Sequence, residues 1–147
     1  ASRALEKEEE FRFVSYYLAE TVPQLDRVCV TYVDPDRGRL RPMFVEEMNG
    51  LKSTLRSPST VMKADGIALA EYPALTEPVV NDDLTDSEDS LFSRMNRKGI
   101  VSSLHVPVVI DGVPATVNFW SGDAKAFPQP AVDYLTEVAQ LIAKRSK

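Results

Sequence analysis

Residues 99–122 constrain the fold of this chain more than any other stretch, because they specify a β-hairpin together with its register. Asp111 and Gly112 form a dipeptide that type I′ turns favour, since both central positions of such a turn need positive φ. Folding about this turn predicts the pairs Ile110–Val113, Val108–Ala115, Val106–Val117 and Leu104–Phe119 on one face. All eight side chains are apolar, so the turn and the alternation agree on one register.

The opposite face of this predicted hairpin is mixed and partly polar. Its pairs are Val109–Pro114, Pro107–Thr116, His105–Asn118 and Ser103–Trp120. Such a face is expected of a sheet wall that lines a pocket or meets solvent. Pro107 and Pro114 fall in pairs that exchange no hydrogen bonds within the hairpin, so their missing N–H groups point towards flanking strands.

The rest of the chain predicts an α+β fold with an antiparallel sheet. A first helix is expected over about 4–21, followed by a β-branched strand over 27–33 that suits a central position. A returning strand over 39–46 is placed at an edge by Pro42, because proline cannot donate to a ladder. A short strand is expected over 79–81.

A helix over 129–147 is predicted to end the chain. Its inward face is expected to consist of Tyr134, Leu135, Val138, Leu141 and Ile142. A further helix over 90–98 is predicted to stop at Gly99. We find no internal repeat or low-complexity tract, so the chain is interpreted as one domain over 1–147.

Three segments resemble the sequence pattern of GAF domains. The run Gly99-Ile100-Val101-Ser102-Ser103-Leu104-His105-Val106-Pro107-Val108 is similar to their GI-x-S-x-L-x-VP strand. Residues 117–121, then Ala126-Phe127 and an apolar helix, follow in the order of the GAF ending. Residues 77–83 (EPVVNDD) are similar to a short PVxxxD strand of those domains. The order and spacing of the pieces carry the resemblance.

A GAF fold implies a central sheet of about five to six strands. The first helix (1–22) and the last (129–147) would pack together on one face of the sheet. Short helices and loops over 47–100 would cover a ligand pocket on the other face. The implied function is a small-molecule-sensing regulatory domain of a signal-transduction or transcription-regulatory protein, with an output domain attached after the last helix.

Composition limits the partners and cofactors of the chain. A net charge of −5 without a basic stripe argues against direct nucleic-acid binding, which relies on Lys and Arg. No apolar run approaches the roughly 18 residues of a membrane span. One cysteine, Cys29, excludes a disulfide framework and a cysteine-based zinc site, and suits a reducing cytoplasm. The chain starts mid-helix without methionine, which suggests a module of a longer protein.

The candidate ligand-binding residues lie on the mixed hairpin face, at the end of the short strand and in the covering segment. They are Tyr72, Asn81, Asp82, Arg94, Ser103, His105, Thr116 and Asn118. We predict no catalytic residues, no metal site and no cofactor. His105 is the only histidine, so any nucleophile–base pair or histidine metal site must include it.

Several functions stay open at this stage. The domain could be a ligand-free dimerisation module whose pocket is plugged by Met43, Phe44 or Tyr72. A haem-binding gas sensor through His105 is a further alternative. An enzyme is disfavoured, because no nucleophile–base pair or metal set can be named. GAF domains that bind bilins usually anchor them on a cysteine outside the first strand, and GAF-fold reductases of free methionine sulfoxide need several cysteines, so Cys29 matches neither pattern. The terminal helices are expected to form a homodimer.

Overall fold

The structure, a computed structural model, describes residues 2–34, 39–47, 77–85, 96 and 99–145. The elements in chain order are α1 (Ser2–Thr21), β1 (Arg27–Asp34), β2 (Arg39–Glu47), β3 (Val79–Asn81), β4 (Ser102–Ile110), β5 (Val113–Ser121) and α2 (Gln129–Arg145). The strands form one five-stranded sheet in the order β2-β1-β5-β4-β3, with every neighbouring pair antiparallel. The predicted α+β class is confirmed.

The hairpin β4–β5 has the register that its turn and alternation predict. Ile110 pairs with Val113, and the ladder continues in step to Ser102 and Ser121. Asp111 and Gly112 have φ values of 52° and 78°, as a type I′ turn requires. The turn therefore decides which residues reach each face of the sheet.

Two prolines lie beyond the ends of the ladders that flank the hairpin. The β1–β5 ladder ends at Ala115, one residue before Pro114. The β3–β4 ladder ends at His105, two residues before Pro107. A proline offers no N–H to a neighbouring strand, so its position beyond these ladders costs no hydrogen bond.

Strand β2 lies at the edge of the sheet, where Pro42 predicts it. Val30 is opposite Phe44 while Thr31 is opposite Pro42, so Met43 is an extra residue in a β-bulge. Proline is tolerated at such a site because an irregular edge needs fewer ladder hydrogen bonds.

Both terminal helices pack on the apolar face of the sheet, as predicted. The core combines Phe11, Leu18 and Val22 of α1 with Leu135, Val138 and Ile142 of α2, against Val28, Val30, Leu104, Val106, Val117 and Phe119 of the sheet. The prediction that Leu141 faces inward is wrong, because this side chain is 44% exposed. Ala139 and Ala143 are buried instead, which completes a stripe of 135, 138, 139, 142 and 143 at helical spacing.

The loops at one end of the sheet are joined by hydrogen bonds. The Gly122 N–H donates to Asp26 Oδ2 at 2.6 Å, and the Ser121 hydroxyl donates to the Gln24 carbonyl at 2.6 Å. The Ser102 hydroxyl donates to the Asp123 carbonyl, also at 2.6 Å. These bonds connect the loop after α1 with the loop before α2, so both helices are attached to the same end of the sheet.

Most of the predicted covering segment, over 47–100, lies outside the described residues, including most of the predicted 90–98 helix. Of that helix, Asn96 is helical, and Gly99 follows with a φ of 100° and an N–H that donates to the Asn96 carbonyl at 3.0 Å. A positive φ at Gly99 agrees with its predicted role as a helix stop. In the part of the chain that the structure describes, neither helix is both long and apolar enough to cross a membrane.

Candidate functional site

The face of the sheet opposite the helices is polar and buried. We call it the polar face; it consists of Arg27, Cys29, Thr31, Asn81, Ser103, His105, Thr116, Asn118 and Trp120. Strand alternation places these side chains together, since residues two apart share a face. All are buried except Asn81, which is half-buried. Buried polar groups need partners, so their hydrogen bonds define the site.

Asn118 lies at the centre of this face. Its Nδ2 is 3.0 Å from Thr31 Oγ1, 3.4 Å from the Cys29 carbonyl oxygen and 3.3 Å from the Thr116 carbonyl oxygen. Its Oδ1 is 2.6 Å from His105 Nδ1. One amide therefore joins β5 to both of its neighbours, β1 and β4.

His105 links Asn118 to the edge of the sheet. Its Nε2 is 2.8 Å from Ser103 Oγ. Asn81 Nδ2 of the edge strand β3 donates to the same Ser103 Oγ at 3.1 Å. Hydrogen bonds thus run without a break from β3 through β4 and β5 to β1.

Trp120 covers the other side of the imidazole. The two rings pack edge to face with centroids 5.0 Å apart and planes at 79°. The indole Nε1–H donates to Cys29 Sγ at 3.3 Å. Cys29 is consequently buried in the polar face, where its sulfur accepts a weak hydrogen bond.

Arg27 is a residue of this face that the sequence analysis did not select. It is 1% exposed and pairs with Trp120 across β1 and β5. On its other side the register places Glu47 of β2 opposite it. The alternation of Arg27, Cys29 and Thr31 predicts that these three side chains share one face of the sheet. The burial of Arg27 depends on β2 and β5, which flank β1 on its two sides.

The structure brings five of the eight predicted site residues together. Asn81, Ser103, His105, Thr116 and Asn118 share the polar face. Asp82 is exposed just beyond it, and its carbonyl accepts the Lys125 N–H at 2.8 Å. Tyr72 and Arg94 lie outside the described residues.

Ser103, His105 and Asn118 follow the order of a nucleophile, a base and an orienting group. All three side chains are buried, with exposed fractions of 0%, 1% and 2%. His105 Nε2, one of the two ring nitrogens that could bind a haem iron, lies 2.8 Å from Ser103 Oγ. Within the described ranges, no group of three or more His, Cys, Asp or Glu side chains could hold a metal ion.

The sequence matches the family model of the GAF domain over residues 4–144. The match spans nearly the whole chain, and the chain belongs to the GAF domain family. The resemblance of the hairpin and the C-terminal helix to this family is confirmed. Among curated proteins, no sequence matches the chain.

Solved structures share the fold at low sequence identity. The chain is similar to the blue-light-absorbing form of the PixJ GAF domain of Thermosynechococcus elongatus, with a TM-score of 0.70, 15% identity and coverage of 99% of this chain and 87% of that one. It is also similar to a GAF domain/HD domain protein from Geobacter sulfurreducens, with a TM-score of 0.68, 17% identity and coverage of 96% and 92%. A third similar structure is a type II free methionine-R-sulfoxide reductase from Thermoplasma acidophilum, with a TM-score of 0.62, 19% identity and coverage of 97% and 93%.

Proposed function

We propose that this GAF domain is a sensory module that binds a small molecule over the polar face and alters the packing of its terminal helices. The observation that carries the proposal is the buried polar face itself, with side chains of four strands joined by hydrogen bonds. A few placed polar groups among apolar and aromatic ones are typical of small-molecule sites. The names of similar structures, which include a light-absorbing GAF domain, agree with a sensory role.

A thermal-shift screen of small metabolites and anions tests this proposal. A ligand that binds only the folded state stabilises it by about 2.7 kcal/mol at 100-fold excess over Kd. We expect a saturable hit whose shift is lost in His105→Ala and kept in Val109→Ala, because Val109 is 55% exposed near the hairpin turn. A hit that stabilises both variants like the wild type would contradict a site on the polar face.

We further propose that the domain forms a homodimer through its terminal helices. Phe13, Tyr16 and Tyr17 of α1 are 74%, 64% and 56% exposed. Their spacing of three and four residues places them on one side of the helix. The neighbouring Tyr134 of α2 raises the pKa of Tyr17, and the Tyr134 hydroxyl lies 3.4 Å from Thr21 Oγ1 of α1, so this stripe continues onto the second helix.

The size of this aromatic stripe favours a second copy of the chain as its partner. An aromatic side chain can bury about 150–250 Å² in total. Scaled by their exposed fractions, the three side chains together supply about half of the ~800 Å² that one partner of a stable interface buries. A stripe that runs along paired helices can meet its own copy across a two-fold axis.

Light scattering and sedimentation test the dimer. We expect Phe13→Glu to be a monomer at concentrations at which the wild type is a dimer. The two proteins should have the same midpoint of unfolding when both are measured at a concentration low enough to dissociate the wild-type dimer. Val109→Glu, which adds the same charge at an exposed site away from the helices, serves as the control. A wild-type monomer at high concentration, or a dimer that survives Phe13→Glu, would contradict this interface.

The second candidate function is a ligand-free dimerisation module. The observation in its favour is that Asn118, His105 and Ser103 already satisfy one another's hydrogen bonds. A dimer that gives no hit in the screen would support this candidate. A non-enzymatic role, the attached output domain and the cytoplasmic compartment stay predictions.

A further inference from the structure

Lys125, in the loop between β5 and α2, has a left-handed backbone conformation with a φ of 54°. Within the described ranges, the other residue besides glycine that has a positive φ is Asp111, and the type I′ turn accounts for it. A left-handed conformation is unfavourable for a residue with a Cβ atom, and it persists only where the surrounding structure holds it. The contacts of Lys125 therefore identify what holds this conformation.

The residues on both sides of Lys125 are attached to the core of the domain. The Ser102 hydroxyl donates to the Asp123 carbonyl at 2.6 Å and accepts the Ala126 N–H at 3.3 Å. The Ala126 side chain is buried, and its carbonyl accepts a hydrogen bond from Gln24 Nε2 at 3.1 Å. The loop is thus fixed to β4 and to the segment after α1.

Lys125 itself interacts with the segment that follows β3. Its N–H donates to the Asp82 carbonyl at 2.8 Å. Hydrogen bonds from Thr85 lower the pKa of Asp83, and the positive charge of Lys125 adds to this lowering, so the Lys125 side chain lies near the same segment. Both the backbone and the side chain of Lys125 therefore connect the loop before α2 to the residues after β3.

Asp82 lies directly beside the polar face. Asn81, the last residue of β3, donates from Nδ2 to Ser103 Oγ at 3.1 Å and is the half-buried member of that face. On the other side of Asp82, the Leu84 side chain is buried and its N–H donates to the Val101 carbonyl at 2.6 Å. Because Leu84 is fixed, the short stretch that contains Asp82 must take up any displacement of Asn81.

The connection from Lys125 to α2 is equally short. Helix α2 begins at Gln129, and the Val132 N–H donates to the Pro128 carbonyl at 3.0 Å. Without the bond to Asp82, nothing offsets the unfavourable backbone conformation of Lys125, and a right-handed conformation removes it. A rotation of the backbone at this position changes the direction in which the chain enters α2.

We propose that Lys125 is a conformational switch that couples the edge strand β3 to helix α2. While the Asp82 carbonyl accepts its N–H, Lys125 is left-handed. When a ligand displaces Asn81 and Asp82, Lys125 relaxes to a right-handed conformation and the start of α2 moves. The coupling itself needs no ligand, whereas its use as a signal rests on the proposed function.

Amide hydrogen exchange of the ligand-free protein, followed by NMR, tests the coupling. Asn81→Ala removes one hydrogen bond of β3, a change that alters a local equilibrium about 2- to 10-fold. We expect the Lys125 and Val132 amides to lose protection by that factor, while the Ala139 amide in the middle of α2 keeps its protection. Val109→Ala, at an exposed site of β4, should leave all three amides unchanged.

Equal protection of the Lys125 amide in the wild type and a folded Asn81→Ala protein would overturn the coupling. A loss at Lys125 without one at Val132 would also overturn it, because α2 would then be insensitive to the switch. If Asn81→Ala does not fold, the substitutions of Lys125 described next decide.

Lys125→Gly and Lys125→Ala form a matched pair that tests the backbone strain. Both variants remove the long charged side chain, but glycine adopts a positive φ freely and alanine does not. The amide at position 125 should therefore be about 5- to 30-fold better protected in Lys125→Gly than in Lys125→Ala. The Val132 amide should follow in the same direction.

Equal protection at position 125 in the two variants would overturn the switch, because the left-handed conformation would then carry no strain to release. The proposed function fails on a different result, namely the absence of any ligand in the thermal-shift screen. That result would leave the exchange measurements, and the coupling that they test, unaffected.

Discussion

At the scale of single residues, the sequence predicts the contents of the polar face better than its connections. The hairpin register alone places His105 opposite Asn118. The bonds from Asn118 to Thr31 and the Cys29 carbonyl depend on β1 lying beside β5, which is a property of strand order and leaves no local signal. Arg27 was missed for the same reason, because its burial requires a strand on each side of β1.

Loss of the Asn118 side chain should destabilise the fold. Asn118→Ala leaves His105 Nδ1 without its hydrogen-bond partner in a buried site. An unsatisfied buried polar group costs about 1–3 kcal/mol. We therefore expect the free energy of unfolding, measured in urea, to fall by about this amount. Thr116→Val is the control on the same face and strand. An equal loss in both variants would contradict the central role of the amide.

Two carboxylates should respond to pH in opposite directions. Burial, partly offset by the Gly122 N–H and increased by Asp123, raises the pKa of Asp26 above its ordinary value of 3.8. Hydrogen bonds from Thr85 lower the pKa of Asp83. The stability that protonated Asp26 contributes is present below pH 3.8 and is lost as the pH rises through its raised pKa. The stability that ionised Asp83 contributes is present above pH 3.8 and is lost as the pH falls through its lowered pKa.

Urea unfolding between about pH 3 and pH 6 tests these signs. Relative to the wild type, Asp26→Asn should become more stable as the pH rises, because Asn keeps an acceptor for Gly122 without the buried charge. Asp83→Asn should become relatively less stable over the same rise. Slopes of the same sign for the two variants would contradict the assignment.

At the scale of elements, strand boundaries and the turn follow from local rules, whereas the buried side of a helix does not follow completely. The dipeptide Asp111-Gly112 predicts the hairpin, and the prolines fit its register because they lie in pairs that exchange no hydrogen bonds. In α2, Leu141 fits a near-heptad pattern equally well as a core residue. The structure buries Ala139 and Ala143 instead, because alanine lets the helix approach the sheet closely. The sequence pattern of the helix does not distinguish a buried Leu141 from buried alanines.

The turn predicts a measurable backbone penalty. Gly112 has a φ of 78°, and an added Cβ would have no heavy atom within 4 Å, so Gly112→Ala causes strain without a clash. We expect a loss of about 1–2 kcal/mol in the free energy of unfolding, the cost of a left-handed conformation for an L-residue. Asp111→Asn should change little, since asparagine tolerates the same conformation. A neutral Gly112→Ala would argue against the type I′ turn.

At the scale of the whole molecule, the sheet separates two surfaces with different tasks. One face holds both terminal helices, and the outer side of α1 carries the aromatic stripe of Phe13, Tyr16 and Tyr17. The other face is the polar face, with its buried hydrogen bonds. The loops joined by Asp26, Ser121 and Ser102 connect the two at one end of the sheet. A ligand can shift the helices only by binding one of their arrangements more tightly than the other.

The family and the layered arrangement were predictable from sequence because the GAF pattern spans the hairpin and the last helix. The ligand was not predictable, because the hydrogen-bond donors and acceptors that a face offers depend on which of its polar groups are already paired. Asn118 illustrates this point, because its partner Thr31 lies 87 positions away in the chain.

The most direct test of a ligand site on the polar face is an NMR titration of the uniformly labelled domain with the best hit of the thermal-shift screen. The account predicts saturable shifts for His105, Asn118, Trp120 and the Asn81 side chain, followed by smaller ones in α1 and α2. Saturable shifts confined to the exposed stripe of α1, with the polar face unchanged, would contradict it.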